Sequence, residues 1–552
     1  MTIQICFYKR YLFTAITALT FSCFMFIPTV FSAETVRISV DSNGVEGDGT
    51  SGAPSLSSDG RYVAFASFAS NLVSGDTNNL ADIFVHDHLT GETTRVSMNS
   101  AGLQATQNFL PDQFARNGSA NPTISADGRY IAFNSYADNL VSNDTNDSTD
   151  VFVHDRLTRK TTRVSVDSFG KESIDLIFSG GDWQTAPPSI SADGRYVGFV
   201  YRAKLVKEDD TSAADIYFHD RQTGETRLVS VNSIGIAGNN DSDFPVLSAD
   251  GRYIAFQSSA SNLVSGDTNS KDDIFIYDRQ TRMTTRASLN SSGIQGNGHS
   301  RHPTISTDGR YVAFESEANN LVTNDTDNQG DVFVHDRQTG NTVLVSVSSS
   351  GWHGVRSTEY GAMFPSICAD GRYVAFSSTT PFTYDTNGGE DVFVHDLVSG
   401  TTYIASVDSA GNPSNKYPST SSAELEYKLQ DVWYRKTSIS ADCNHVGFAL
   451  RASDLVPNDT NSRVDAFVNS KDNTQPPSDC LFSWAEGNYP ALFAPSGALT
   501  TIWSIYTYRY YSVTNAYLGL SSTDNDVYYM GADGILQDEG PLSYWLPKSG
   551  CQ

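Results

Sequence analysis

Basic residues are in short supply: 37 Lys and Arg stand against 63 Asp and Glu, a formal net charge of −26. The first 33 residues hold Lys9 and Arg10 and no acid, so the remainder, −26 less those two positive charges, stands at −28. Phosphate recognition needs basic patches, and a chain this acidic excludes nucleic acid and anionic lipid as partners. Catalytic signatures are missing as well. There is no G-x-S-x-G elbow, no H-E-x-x-H and no phosphate loop, which leaves no residue to single out as catalytic. Cysteine is rare, with six in 552 residues, and long apolar runs are confined to Tyr11–Val30.

That run follows Lys9 and Arg10 and precedes the small residues Ser32 and Ala33. A basic start, an apolar middle and a small-residue exit predict a signal peptide over 1–33; a membrane anchor of the same length is the alternative. Phe21, two places before Cys23, is too bulky for a lipoprotein signal. Cleavage would leave Cys368, Cys443, Cys480 and Cys551 in an oxidising compartment. The expectation is a secreted or periplasmic monomer, not membrane-embedded after cleavage.

What the chain has in abundance is repetition. Ser57-Ser58-Asp59-Gly60-Arg61-Tyr62-Val63-Ala64-Phe65 returns from Ser125, Ser191, Ser248 and Ser306, and in altered form at Cys368 and Ser440. The turn Asp falls at 59, 127, 193, 250, 308, 370 and 442, which makes seven units. Each unit reads as four short strands between turn signals, the pattern of a propeller blade. The second and third strands are apolar on both faces, while the fourth, such as Thr162–Val166, alternates. The surplus length beyond a minimal blade of about 40–45 residues sits in the loop between strands two and three and in the connector to the next blade. Both loop types emerge on one face.

Unit seven ends in Ser470–Pro477 without a fourth strand, and an extra one, Thr35–Val40, precedes unit one. The N-terminal strand is therefore expected to close the ring by pairing with blade seven, which removes a bare sheet edge. The repeats resemble the TolB-type, WD-like propeller repeats of bacterial exported proteins, with S-x-D-G-R-x-(I/V)-A-F followed by a (D/E)-(I/V)-(F/Y) strand. The resemblance spans about residues 35–470 and departs from TolB itself in lacking a preceding α/β domain and in having seven units rather than six. It implies protein interaction, ligand binding or occasionally catalysis.

The turn Asp-Gly pairs read as scaffold, as do the repeated histidines at 86, 154, 219, 335 and 395. The recurring turn arginines, from Arg61 to Arg372, are expected to pair with the Asp that follows each third strand. A second motif lies in the long loop: Asp76, Asn78, Asp82; Asp144, Asn146, Asp150; Asp267, Asn269, Asp273; Asp325, Asp327, Asp331; Asp385, Asn387, Asp391; and Asp459, Asn461, Asp465. Blade three breaks it with Asp209-Asp210-Thr211-Ser212 to Asp215. Oxygens at positions one, three and seven offer a calcium site; an Asx turn is the alternative reading. His299 and His302, with His353 one blade on, have a spacing that can chelate zinc or manganese, against solvated loop histidines. Aromatics in the long connectors (Phe109, Phe114, Phe178, Trp183, Trp352, Tyr360, Tyr417, Tyr427, Trp433, Tyr434) either form a platform for a ligand or pack the loops down.

After a 475–478 linker, residues 479–552 read as a small α+β module closed by a Cys480–Cys551 disulfide. Hairpins are expected over 508–521 and 526–537, and helices over 483–488 and 542–548. A Cys368–Cys443 bridge between neighbouring blades is also open. The whole reads as a seven-bladed propeller, 34–474, closed by its N-terminal strand. Its role reads as that of a secreted, non-catalytic binding protein taking a protein or glycan on the long-loop face. One alternative is a polysaccharide hydrolase or lyase using upper-face acids and a divalent cation. The other is a calcium-stiffened, adhesin-like structural protein.

Overall fold

A computed structural model describes residues 34–106, 118–146, 148–173, 186–325, 329–353, 361–383, 389–414 and 437–470, and the backbone of five further strands between 498 and 541. The chain divides into Met1–Phe31, which lies outside the described residues, and Ser32–Gln552. All regular structure among the described residues is β. No helix there is long and apolar enough to cross a membrane.

Residues 34–470 form seven four-stranded antiparallel sheets. Blade one runs outward as Ser51–Leu56, Tyr62–Ser67, Asp82–Asp87 and Glu92–Arg95. The middle strands are covered on both sides, and each blade stacks an aromatic pair between them, such as Phe65–Phe84 at 5.8 Å and Phe133–Phe152 at 6.0 Å. Each such ring is wholly buried and contributes about 1.5–3 kcal/mol. The predicted alternation of the fourth strand is cut short. Pairing stops at Arg95 in blade one, because Ser97 turns inward and its Oγ donates to Asp82 Oδ1. All seven blades repeat this Ser–Asp bond at 2.5–2.6 Å.

The repeated turn joins the blades on the lower face. Asp127 Oδ1 accepts from Ser125 Oγ and Arg129 N. Gly128 sits at φ +73°, and a Cβ there would lie 2.1 Å from Tyr62 of the blade before, so both backbone sign and contact require glycine. Arg129 grips Asp155 through Nε and Nη2, and all six expected pairs form with Nη2 at 2.7–2.8 Å. Hydrogen bonding to Arg61 and Arg252 holds Asp87 and Asp278 down at about 2. The turns themselves bond around the axis. Ser58 N donates to Ala126 O, Ala126 N to Ala192 O, Ala192 N to Ala249 O, and so on until Asp442 N donates to Ser58 O.

The outer strands sew the blades a second time. Thr161 Oγ1 donates to Met98 O of the preceding blade's connector, which uses its one proton. His154 Nδ1, 2.9 Å from Thr161 Oγ1, must then be the donor of that bond. In blade seven the equivalent donor is Asn469 Nδ2, 2.9 Å from Thr35 Oγ1, which fixes the same polarity.

Closure follows the expected pattern: Val36 pairs with Val468 and Arg37 with Phe467, with Ile38 N donating to Ala466 O. The paired segment is Glu34–Arg37 rather than Thr35–Val40, since Ser39 leaves the sheet to bind Asp465. Cys368 and Cys443 form a disulfide between the lower turns of blades six and seven, with Cα atoms 5.3 Å apart. In the tail, 506–511 pairs with 516–521 and 526–530 with 536–541, in a five-stranded meander that also takes in Ala498–Trp503. The segments 483–488 and 542–548, expected as helices, and Cys480 and Cys551 lie outside the described residues.

Deleting residues 34–40 is expected to strip blade seven of its outer strand and to broaden or abolish the cooperative melt, read by calorimetry. A pH test addresses the seam. Burial lowers His86, His154, His219 and His395 to about 4, from the ordinary 6.5. A histidine that stays neutral in the fold but charges when unfolded costs stability as pH falls from 6.5 to 4. The full loss is about 3 kcal/mol per residue. His154→Asn, which copies blade seven, is expected to keep the hydrogen bond and show a smaller loss across that window in urea titrations.

Candidate functional site: the central channel

Seven inner strands line the axis, and five carry a non-glycine residue in left-handed conformation: Ala53, Asn121, Phe244, His302 and Phe364, at φ between 49° and 55°. In each of the five a proline follows. The residue before proline is ordinarily driven to extended backbone, and left-handed Phe or His costs about 1–3 kcal/mol. The inner strands bulge there, with register shifts between Asp243 and Val246 and between Arg301 and Thr304. Side chains from the neighbouring second strand hold the bulges in place. Gln257 Oε1 accepts from His302 N at 3.1 Å, and Glu315 Oε2 accepts from Phe364 N at 3.3 Å.

These strands enclose a cavity of about 330 Å³ to which all seven blades contribute, at the small end of ligand sites, about 300–1,000 Å³. One wall is an aromatic arc. The His302 ring meets Phe244 edge-on at 4.5 Å and Phe364 at 4.8 Å. The opposite wall is small: Ala53, Asn121, Pro187 and Thr437. Behind the arc, Glu315 Oε1 lies 2.8 Å from His302 Nδ1, an ion-pair distance rather than an in-line hydrogen bond. Burial works to raise the Glu315 carboxyl, but His302 and the Phe364 amide hold it below its ordinary range. Asp243, next to Phe244, accepts that residue's own N–H and is pushed up to about 7, mainly by burial.

The long-loop motif takes a different form from an open calcium loop in the blades where it is fully described. Asn78 Oδ1 accepts from Leu80 N, an Asx turn, and its Nδ2 donates to Asp82 at 3.0 Å; Asn146, Asn269 and Asn461 repeat both bonds. A guanidinium from the fourth strand then stands between the carboxylates. Arg95 Nη1 is 3.3 Å from Asp76 and 3.2 Å from Asp82; Arg163, Arg286 and Arg37 do the same for Asp144 with Asp150, Asp267 with Asp273, and Asp459 with Asp465. Burial pushes Asp76 and Asp465 up to about 6 and Asp144 to about 7. In blade three Tyr217 OH donates to Asp209 instead. Blades five and six place Leu344 and Ile404 at the arginine position. There Asp331 and Asp391 accept from Ser346 and Ser406 at 2.6 Å, Asp325 is buried, and Asp327, Asp385 and Asn387 lie outside the described residues.

The histidines of the connector motif part company. His299 Nδ1 is 3.0 Å from Asp272, while His302 enters the channel. Among the described residues, His299, His302 and His353 stand in no group of three metal-ligating side chains. Trp352 is half exposed, and the other connector aromatics lie outside the described residues. The sequence reading missed Phe244, Phe364, Gln257 and Glu315. For Phe244 and Phe364 the signal was a variable residue before a repeated proline; for Gln257 and Glu315 it was a polar residue directly after the buried phenylalanine of the second strand.

The fold is that of a seven-bladed propeller with an axial cavity. The chain is similar to an oligogalacturonate lyase in complex with manganese at 11% identity and TM-score 0.47, over 81% of this chain and 95% of that one. TolB from Acinetobacter baumannii matches at 15% and 0.35, over 65% of this chain and 64% of that one. The propeller domain of the Trilobed protease from Pyrococcus furiosus matches at 11% and 0.40, over 73% and 89%. No protein-family model and no curated protein sequence matches the chain.

Arg163→Leu copies blade five in blade two and leaves Asp144, Asp150 and Glu172, whose oxygens lie within 4.8 Å of one another, without their cation. The expected cost is about 3–5 kcal/mol. Millimolar calcium is expected to restore part of it, as melting with calcium against chelator would show, while the wild-type blade two loop gains nothing from the ion.

Proposed function

We propose that this chain is an exported, non-catalytic binding protein whose ligand enters the central channel from the face bearing the long loops. The observation that carries the reading is the inner-strand ring. Phe244, His302 and Phe364 are held left-handed before proline, in a cavity of ligand size. Strain of this kind persists only where surrounding structure over-determines it, and it gathers at ligand sites. Packing a propeller axis does not require it, since among the described residues the inner strands of blades three and seven, Ser189–Ile190 and Ser438–Ile439, carry no left-handed residue. The leader-like segment 1–33 and the Cys368–Cys443 disulfide support export to an oxidising compartment, secreted or periplasmic. Calcium enters the proposal only as a stiffening ion at the loops of blades five and six, where Leu344 and Ile404 replace the arginine.

A polysaccharide hydrolase or lyase is the second reading, and one observation favours it. Asp243 and Glu315 are carboxyls whose surroundings move their proton affinities in opposite directions, as an acid and a base require. Glu315→Gln separates the readings: an enzyme loses turnover on polysaccharide, whereas a binding protein shows none to lose.

Screening the full chain against glycan and peptide arrays, beside a Phe244→Ala/Phe364→Ala variant, tests the site. Ala53 shows that alanine is accommodated at this position, so the variant is expected to fold and to lose the captured ligand. Capture that survives in the variant would move the site to the rim or the tail.

A further inference from the structure

Below the aromatic arc the channel carries a second ring. One residue of each inner strand stands opposite a small residue of the second strand: Thr123 with Ala132, Ser189 with Gly198, Thr304 with Ala313, Ser438 with Gly447. Ser55 and Ser366 hold the same place in blades one and six, opposite Ala64 and Ala375. Six of the seven positions are therefore hydroxyls, the exception being Val246, and all seven line the cavity. Three hydroxyls already accept a backbone N–H from the adjoining blade, Ser189 from Leu247, Ser366 from Ile439 and Ser438 from Leu56. Acceptance leaves each hydroxyl its own proton to donate. Among the described residues Thr123 Oγ1 is buried without a hydrogen-bond partner. Buried polar atoms are rarely left so, and an orphan points to a missing partner.

Resting on the channel reading above, we infer that the ligand is a neutral saccharide. Flat aromatic side chains on one wall suit the C–H face of a sugar ring, and a collar of hydroxyls suits its edge. Among the described residues that line the cavity there is no Lys or Arg. Two acids stand behind the same wall, Glu315 at His302 and Asp243 at Phe244, and disfavour a further carboxylate there. A uronate or other anionic sugar would leave its charge unpaired in the channel, which the desolvation of a buried ion forbids. The His302 ring lies between the two phenylalanines, and no protein hydrogen bond is formed by its Nε2 among the described residues, so that atom is available to a sugar hydroxyl.

The experiment is calorimetric titration of the full chain with neutral gluco-, galacto- and manno-configured oligosaccharides and with the matching oligouronates. A neutral member is expected to bind, the uronates at least ten-fold more weakly. Thr123→Val removes the orphan oxygen without loss of shape. It is expected to leave the melting temperature unchanged or raised while weakening the sugar about ten-fold, one neutral hydrogen bond. Phe364→Ala is expected to abolish binding. Preferential binding of uronates, or neutral sugar binding indifferent to both variants, overturns the inference. If no sugar binds but peptides are captured in a Phe364-dependent way, the saccharide is wrong and the channel site stands. If nothing captured depends on Phe364, both fall.

Discussion

Seven wedges have to close on themselves, and the backbone ring at the lower turns is where that constraint is met. Each turn donates an N–H to the carbonyl of the next, and the last donates to the first through Asp442. The bonds are short-range, but their geometry holds only if every blade arrives at the same angle and height. The invariance of the Ser-x-Asp-Gly-Arg-Tyr unit follows from this. Serine and aspartate build the turn, glycine lets it approach the neighbouring tyrosine, and arginine ties the turn to its own third strand. Where the sequence departs from the unit, at Cys368 and Cys443, a disulfide joins the two turns involved.

A rigid lower ring frees the upper half of each inner strand to depart from ideal geometry. The bulges at Phe244, His302 and Phe364 are a conformational cost borne locally and offset by packing and by hydrogen bonds from Gln257 and Glu315. The second strand thus serves twice. Its buried face makes the core, and its opposite face holds the strained backbone of the next blade. The binding wall is built across blade boundaries, and no blade makes it alone.

Charge is handled by the same division. Most of the buried acids are structural: each third strand opens on an Asp satisfied by a serine, and four of these also face an arginine. Exchanging that arginine for leucine or isoleucine in blades five and six while keeping the acids makes those loops different in kind. The five buried histidines belong to this scaffold too. Each is neutral and acts as a donor to a threonine, and an asparagine replaces them in blade seven.

Blade number, strand order, ring closure and the Arg–Asp latch were legible in the chain because each recurs at a fixed offset, and a repeated local pattern has one repeated local cause. The turn aspartate is the plainest case, since its partners stand two residues to either side of it. The loop motif was legible as a spacing but ambiguous as chemistry. An Asx turn and a calcium loop ask for the same oxygens, and the deciding group, Arg95 or Arg163, lies 13 residues beyond the last Asp on another strand. Phe244, His302, Phe364 and Thr123 are spread over 242 positions of sequence, from 123 to 364, and nothing local marks them as neighbours. Sequence by itself determined the scaffold, because hydrogen bonds between adjacent strands are short-range and periodic. Only the closed ring decided the channel, because it alone brings one residue from each blade to a common axis.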